Sequence, residues 1–274
     1  PLALPSFLNA MKSEPMGALL AKAHEDDFFV ASTRLARPST VEALAIHPPW
    51  QAEILEILKK ATGETGLNIQ KEVLPQLNGD VLVSVGLHSD ANVANLKALT
   101  RLQSLSLLGS QFRGRIYLGL KDPKTMQSHL DKGLATLQSQ GQPLRQRISP
   151  EGYKIIEPAT AAPAFGWAIV NDYYVYALGP NQLQEAMTDL HTKKTHSNGL
   201  ASAFGTKRNA STAILRLGVM SQSLEALVQD AGLAPQLRGF VKPALEALKR
   251  IGDLALSLEF TETSVRLTLS ERLP

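Results

Sequence analysis

The chain has 274 residues, 44% hydrophobic and 19% charged, with a formal net charge of +3, an ordinary globular composition with room for one large core or two smaller ones. It contains no cysteine, which excludes disulfides, zinc–thiolate sites and cysteine nucleophiles. Aromatics at 5%, and basic residues interleaved with nearly as many acids, argue against a nucleic-acid platform, and no apolar run approaches the ~20 residues of a membrane span.

The first 22 residues carry Leu4, Phe7, Leu8, Met11, Met16, Leu19 and Leu20 at helical spacing, with Pro15 dividing them into two short helices. His24-Glu25-Asp26-Asp27 is a polar corner before a strand at Phe28 to Thr33. Pro38 opens a helix through Ile46. Trp50 to Thr62 is amphipathic, with Ile54, Leu55 and Leu58 on one stripe, and Gly63 and Gly66 stop it. Gln70 to Leu77 reads as a short helix and Asp80 to Leu87 as a strand. His88 to Gly114 interrupts the pattern with a stripe of Val93, Leu96, Leu99 and Leu102, predicted to be a helix packed on the domain, or else a lid or a partner-docking helix.

Arg115 to Leu120 is a strand, and Asp122-Pro123 starts a helix to about Gln138 with Asp122 as its N-cap. Ser139 to Pro150 reads as an exposed linker, and Gly152 to Glu157 as a strand. Phe165 to Val170 and Tyr173 to Leu178 form a hairpin about a two-residue Asn171-Asp172 turn. Its alternation puts Phe165, Trp167, Ile169, Tyr174, Tyr176 and Leu178 on one face, expected to be core or the wall of an apolar pocket. Helices follow at Pro180 to Leu190, Leu200 to Phe204, Ser221 to Ala231 and Gln236 to Arg250, with a strand at Thr212 to Gly218. The chain closes on two period-2 strands, Leu254 to Phe260 and Val265 to Leu269.

The two halves echo one another. Phe29 to Leu35 resembles Ala213 to Leu217, Val41 to Leu44 resembles Leu224 to Leu227, and Val73 to Val85 resembles Leu245 to Leu258, with a shared Gly-Asp at Gly79-Asp80 and Gly252-Asp253. With Phe7 to Met11 against Leu183 to Met187 and Met16 to Leu19 against Asn198 to Ala201, five such matches keep one order, which points to an internal duplication. The predicted fold is therefore α+β. It has two similar units, residues 1–138 and 152–274, joined by 139–151, each a mostly antiparallel sheet with helices packed on one face. The counterpart of the aromatic hairpin in the first unit would precede Pro1, so an N-terminal strand, and a leader or anchor with it, is expected ahead of this chain.

Ser13 to Leu20, Gly66 to Ile69 leading into Val73 to Asp80, Leu120-Lys121-Asp122-Pro123 and Gly152 to Ile156 together resemble a domain-of-unknown-function family of bacterial secreted, lipoprotein and membrane-anchored envelope proteins. The resemblance implies a periplasmic or secreted α+β protein, free or anchored to a membrane through a preceding segment, and it implies no reaction.

Searches for chemistry find no nucleophile elbow, phosphate loop, dinucleotide motif or zinc-protease motif. His24 to Asp27 reads as a solvated corner rather than a metal site. His191 and His196 around Lys193-Lys194 read as an exposed basic loop. Arg113, Arg115, Lys121, Arg145 and Arg147 read as scattered charges. Asp80 and Asp253 read as residues that start strands, not as a catalytic pair. No cofactor is expected. The expected function is a non-enzymatic envelope binding or scaffold protein contacting another protein, or a carrier of a lipid or other apolar ligand between sheet and helices. The residues expected to bind are Val93, Leu96, Leu99, Leu102, Trp167, Tyr174 and Tyr176.

Overall fold

The computed structural model describes residues 14–15, 17–36, 50–88, 111–160, 163–179, 181–196, 199–205, 208–209, 211–230, 235–260 and 264–272. Ten strands are labelled β1 (Phe29–Ala36), β2 (Leu77–Leu87), β3 (Phe112–Leu120), β4 (Leu144–Ile148), β5 (Lys154–Pro158), β6 (Phe165–Val170), β7 (Tyr173–Leu178), β8 (Ser211–Arg216), β9 (Asp253–Phe260) and β10 (Val265–Arg272). The helices are α1 (Gly17–Leu20), α2 (Trp50–Thr65), α3 (Pro123–Ser139), α4 (Gln182–His191), α5 (Leu200–Phe204), α6 (Leu217–Asp230) and α7 (Pro235–Ile251). The expected helices before residue 13 and at Pro38 to Ile46, and the stripe Val93, Leu96, Leu99 and Leu102, lie outside the described residues.

The fold is α+β, and these ten strands make one continuous antiparallel sheet in the order β10-β9-β8-β1-β2-β3-β7-β6-β5-β4, beside which Glu14–Pro15 pairs with Arg208–Asn209 in a separate two-residue ladder. Two separate sheets were expected. They are one because strands of the two stretches pair twice: β1 hydrogen-bonds β8, with Phe29 opposite Leu215, Ala31 opposite Ala213 and Thr33 opposite Ser211, and β3 pairs β7, with Ile116 opposite Tyr176. The stretch expected as a linker contains β4, an edge strand paired only with β5 among the described residues. The β6–β7 hairpin turns at Asn171 and Asp172 as expected, with Asn171 at φ 51°, the left-handed conformation that asparagine tolerates.

Helices cover both faces rather than one. On the first face Val30, Leu82, Tyr117, Ala168, Val175, Ala177, Ile214 and Ala255 are buried beneath Leu19 and Leu20 of α1, Leu183, Ala186 and Met187 of α4, and Leu200 and Phe204 of α5. Burying each large side chain there contributes about 1.5–3 kcal/mol. On the opposite face Leu118, Ile169 and Tyr174 pack with Leu74, Leu77, Leu120 and Met126, closed over by Leu58 of α2 and Leu130 of α3. Asp122 caps α3 as expected: its Oδ1 accepts from the Lys124 and Thr125 amides, both at 3.1 Å, and its Oδ2 from the Thr125 hydroxyl at 2.6 Å. Those bonds hold its carboxyl below the usual range. The predicted helix at Gln70 to Leu77 is instead a π turn (Ile69–Val73) followed by a 3-10 turn (Leu74–Gln76), entered through Asn68, whose side chain accepts from the Lys71 amide at 3.0 Å.

The strands flanking the β1–β8 pair repeat a feature. Arg34 on β1 faces Asp80 on β2 at 3.1 Å, and Arg216 on β8 faces Asp253 on β9 at 3.7 Å. Each aspartate follows a glycine with positive φ, Gly79 at 113° and Gly252 at 79°. Asp80 and Asp253 are thus each occupied by a guanidinium across a strand pair and do not face one another, in keeping with a structural role.

Helices α1 and α5 meet at glycine: the Gly17 amide donates to the Gly205 carbonyl at 3.2 Å. A Cβ on Gly205 would press on Gly17 backbone on one side and on the Ala201 carbonyl, at 2.6 Å, on the other. Backbone cannot rotate aside as a side chain can. Gly205→Ala is therefore expected to destabilise the fold by about 2–3 kcal/mol, read as a lowered urea midpoint; an unchanged midpoint would contradict this close approach.

Candidate functional site

Period-2 alternation gives the sheet two chemically different surfaces. On the face opposite the main core, β1 and β8 carry small side chains: Ala31 and Thr33 on one, Ser211 and Ala213 on the other. Branched residues rise on both sides, Val81 and Val83 on β2 and Leu256 and Leu258 on β9, with Leu267 of β10 beyond. Small floor and tall walls leave an open trough of about 350 Å³ lined almost wholly by apolar atoms. Its β10 side is the most exposed apolar surface described. Leu256 is 46% exposed, Val265 53%, Leu267 65% and Leu269 72%. These four belong together by register, since Leu256 lies opposite Leu269, Leu258 opposite Leu267 and Phe260 opposite Val265. A contiguous apolar surface of this kind makes this face the candidate contact surface of the described residues.

The aromatic residues expected to bind share this face but not the trough, because β2 and β3 separate β7 from β1. Tyr174 belongs to the second core, and burial pushes its phenol far above the ordinary range. Trp167 and Tyr176 are half-buried and form a stack around Phe165, whose ring centroid lies 6.4 Å from that of Trp167 and 6.1 Å from that of Tyr176. The expectation that this face is core holds for Ile169 and Tyr174 and not for Phe165, Trp167 and Tyr176, which stay half-buried. The small set, with Ala168, Val170, Val175 and Ala177, is the deeply buried one, because small side chains let α4 approach the strands closely.

The core face holds a layer of charge that sequence reading had dispersed. Arg113, Arg115 and Tyr117 project from alternate positions of β3, and Arg115 is 2% exposed. Its Nε and Nη2 donate to Gln182 Oε1 at 3.2 and 2.9 Å, its Nη2 to Glu185 Oε2 at 2.6 Å, and its Nη1 lies 3.7 Å from Asp189. His196 Nε2 bonds Asp189 at 2.8 Å, and its ring lies 4.9 Å from that of His24. Arg113 faces Asp27 at 3.3 Å and Asp26 at 3.5 Å. Two sequence readings change accordingly: Asp27 is buried rather than solvated, and His196 is half-buried, its ring turned in to Asp189 rather than out in an exposed basic loop. Arg145 and Arg147 converge elsewhere, both on the buried Glu157. The signal was available in Arg113-x-Arg115-x-Tyr117, a polar alternation opposite buried Ser84.

This layer joins β3, α4 and the loop after α1; the guanidinium of Arg115 is held through Nε and Nη2, while its buried Nη1 has only the charge of Asp189 at 3.7 Å. Burial excludes water from Tyr117 and lifts its phenol to about 12. The pattern is that of a fixed structural network, in which removal of one charge strands the others.

No family model and no curated protein matches the chain. Among solved structures, crystal form IV of TP0453 has a TM-score of 0.42 at 10% identity, over 95% of this chain and 81% of that one. A likeness this distant carries no argument.

His24 provides a pH test of the network. Burial, then the positive charges of Arg113 and Arg115, hold its pKa below 6.5, against the opposing pull of Asp27 and Asp26. A depressed histidine favours the neutral form in the folded chain. Its stabilising contribution is present above the unfolded value of 6.5 and is lost as pH falls from there through the folded pKa. The urea midpoint is expected to drop between about pH 7.5 and 5.5, and to drop less in His24→Gln; equal slopes would remove His24 from the account.

Proposed function

We propose that this chain is a non-enzymatic binding protein of the cell envelope, holding another protein against the open face of its sheet. The observation that carries the reading is the contiguous apolar surface of Leu256, Val265, Leu267 and Leu269, set beside the trough. Burying such surface against a partner is favourable by about 25 cal/mol for each Å² removed from water. The envelope location rests on the family resemblance of the sequence, and the absence of cysteine is compatible with it.

The same reading takes residues 1–138 and 152–274 as copies of one module. Its support is the order β1-β2-β3 on one side of the central pair and β8-β9-β10 on the other, together with the recurring Arg34–Asp80 and Arg216–Asp253 pairs. Those arginines and aspartates are also aligned by the sequence echo.

The trough itself favours a second reading, a carrier of a lipid or other apolar ligand. Its volume reaches the lower end of the range for small-molecule sites, although it opens on the sheet rather than beneath helices. Native mass spectrometry of the protein from its source separates the two: a retained small apolar molecule supports the carrier.

The protein-binding reading is tested by placing a photo-crosslinking phenylalanine derivative at position 267, with Lys132 on α3 as an exposed control site. Protein-sized adducts at 267 and none at 132 are expected after irradiation in the source cells. Absence of adducts at 267 sinks the reading.

A further inference from the structure

The edge strand β10 bonds only β9 among the described residues, and its apolar side chains all project to one face. Natural edge strands are usually blunted by proline, a bulge or inward charge, because an open ladder invites another strand. β10 contains no proline, pairs with β9 over eight consecutive residues without a register shift, and carries Val265, Leu267 and Leu269 in alternation.

The sheet holds a template for what sits beside such a strand. Outward from the central pair, β3 occupies on one side the place that β10 occupies on the other. Ile116 of β3 lies opposite Val83 of β2, just as Leu269 of β10 lies opposite Leu256 of β9. The outer neighbour of β3 is β7, antiparallel, which sets Tyr176 opposite Ile116 and Leu178 opposite Gly114. The acids that answer Arg115 come from α4, the next element after β7. The outer edge of β10 has the same chemistry. Its trough side is apolar from Val265 to Leu269 and ends in the exposed Glu271, and its other side shows Arg266, Thr268, Ser270 and Arg272, where both charges are positive. Arg266 reaches Glu259 only at 3.8 Å and Arg272 reaches Asp253 only at 3.9 Å, and both guanidiniums stay exposed.

We propose that β10 is a docking edge that takes one antiparallel strand from a partner polypeptide, aromatic or branched on the side facing the trough and acidic on the other. The proposal rests on the reading of this face as a protein-binding surface. The partner strand extends the ladder through its backbone, caps the open end of the trough with its large side chains, and sets carboxylates against Arg266 and Arg272. Backbone pairing gives affinity and alternation gives specificity.

The test uses the full chain and a capped peptide of roughly nine residues alternating Val or Tyr with Glu, a scrambled peptide of the same composition, and a third with Lys for Glu. Amide hydrogen exchange is followed along the chain. At about 1 mM alternating peptide, exchange across residues 265–272 is expected to slow about tenfold. The scrambled and Lys peptides are expected to slow it much less, and Leu267→Lys/Leu269→Lys, with its fold checked by thermal melting, is expected to lose the protection. No slowing at that concentration, or equal slowing by the scrambled peptide, overturns the proposal. Adducts at position 267 without slowed β10 amides would leave the protein-binding face standing and sink strand addition, whereas absence of both would sink the two together. A dimer by sedimentation that dissociates in the double variant would assign the edge to a second copy and overturn the partner strand.

Discussion

The antiparallel contact between β1 and β8 is the one on which the sheet depends. Each strand belongs to its own ladder of three, β1-β2-β3 and β8-β9-β10, and their pairing joins those ladders, while the β3–β7 pairing carries the sheet on to β4. The pairing also determines what each face can be. Val30, Ser32, Thr212 and Ile214 are buried on the helix-covered side, so these strands form the middle of the main core. Their other side bears alanine, serine and threonine where every neighbour bears a branched chain, and that contrast in side-chain height is the trough. Core and candidate surface are two consequences of one period-2 pattern.

Charge is distributed by the same logic. A guanidinium on the core side of a strand cannot be solvated, so it must find carboxylates there or unfold the sheet around it. Arg115 finds Glu185 and Asp189 on α4, Arg34 finds Asp80, and Arg216 finds Asp253. These pairs act as registration marks. A one-residue slip of β1 against β2, or of β8 against β9, would turn each arginine to the opposite face and leave its aspartate alone. The polar layer thereby specifies which of many possible pairings the strands adopt, a selection that apolar contacts between leucines and valines enforce only weakly.

Local structure was legible in the sequence where the signal is local. The α3 cap at Asp122, the Asn171-Asp172 turn, the closing hairpin and the alternation of β2 and β8 all follow from short-range pattern. The single sheet did not, because nothing in Phe29 to Ala36 encodes its neighbour, which lies far along the chain. β4 escaped notice because it is an edge strand with most of its residues exposed, so Leu144 to Ile148 shows no burial period. The aromatic hairpin was read with one side inward, since bulk suggested core, and both sides pack: Ile169 and Tyr174 in the second core, the small residues in the first. Packing against α4 instead selects the glycine and alanines on the other side. Of the residues expected to bind, Tyr174 serves the second core and Trp167 and Tyr176 form a stack of their own. The trough, by contrast, comes from strands that no single stretch could place side by side.

The order in which the strands arrive on the ribosome follows from the central pair. β1 and β2 are complete within the first hundred residues, yet the partner of β1 on its other side, β8, begins at Ser211, roughly 180 residues after β1. Until then a nascent chain holding β1, β2 and β3 displays the open flank of β1, with Val30 and Ser32 not yet enclosed. Such a topology folds late and slowly, since long loops must close before the central ladder forms. Synthesis of this chain therefore exposes, from the completion of β3 at Leu120 until β8 arrives at Ser211, a sticky half-sheet of the kind that holdase chaperones shield.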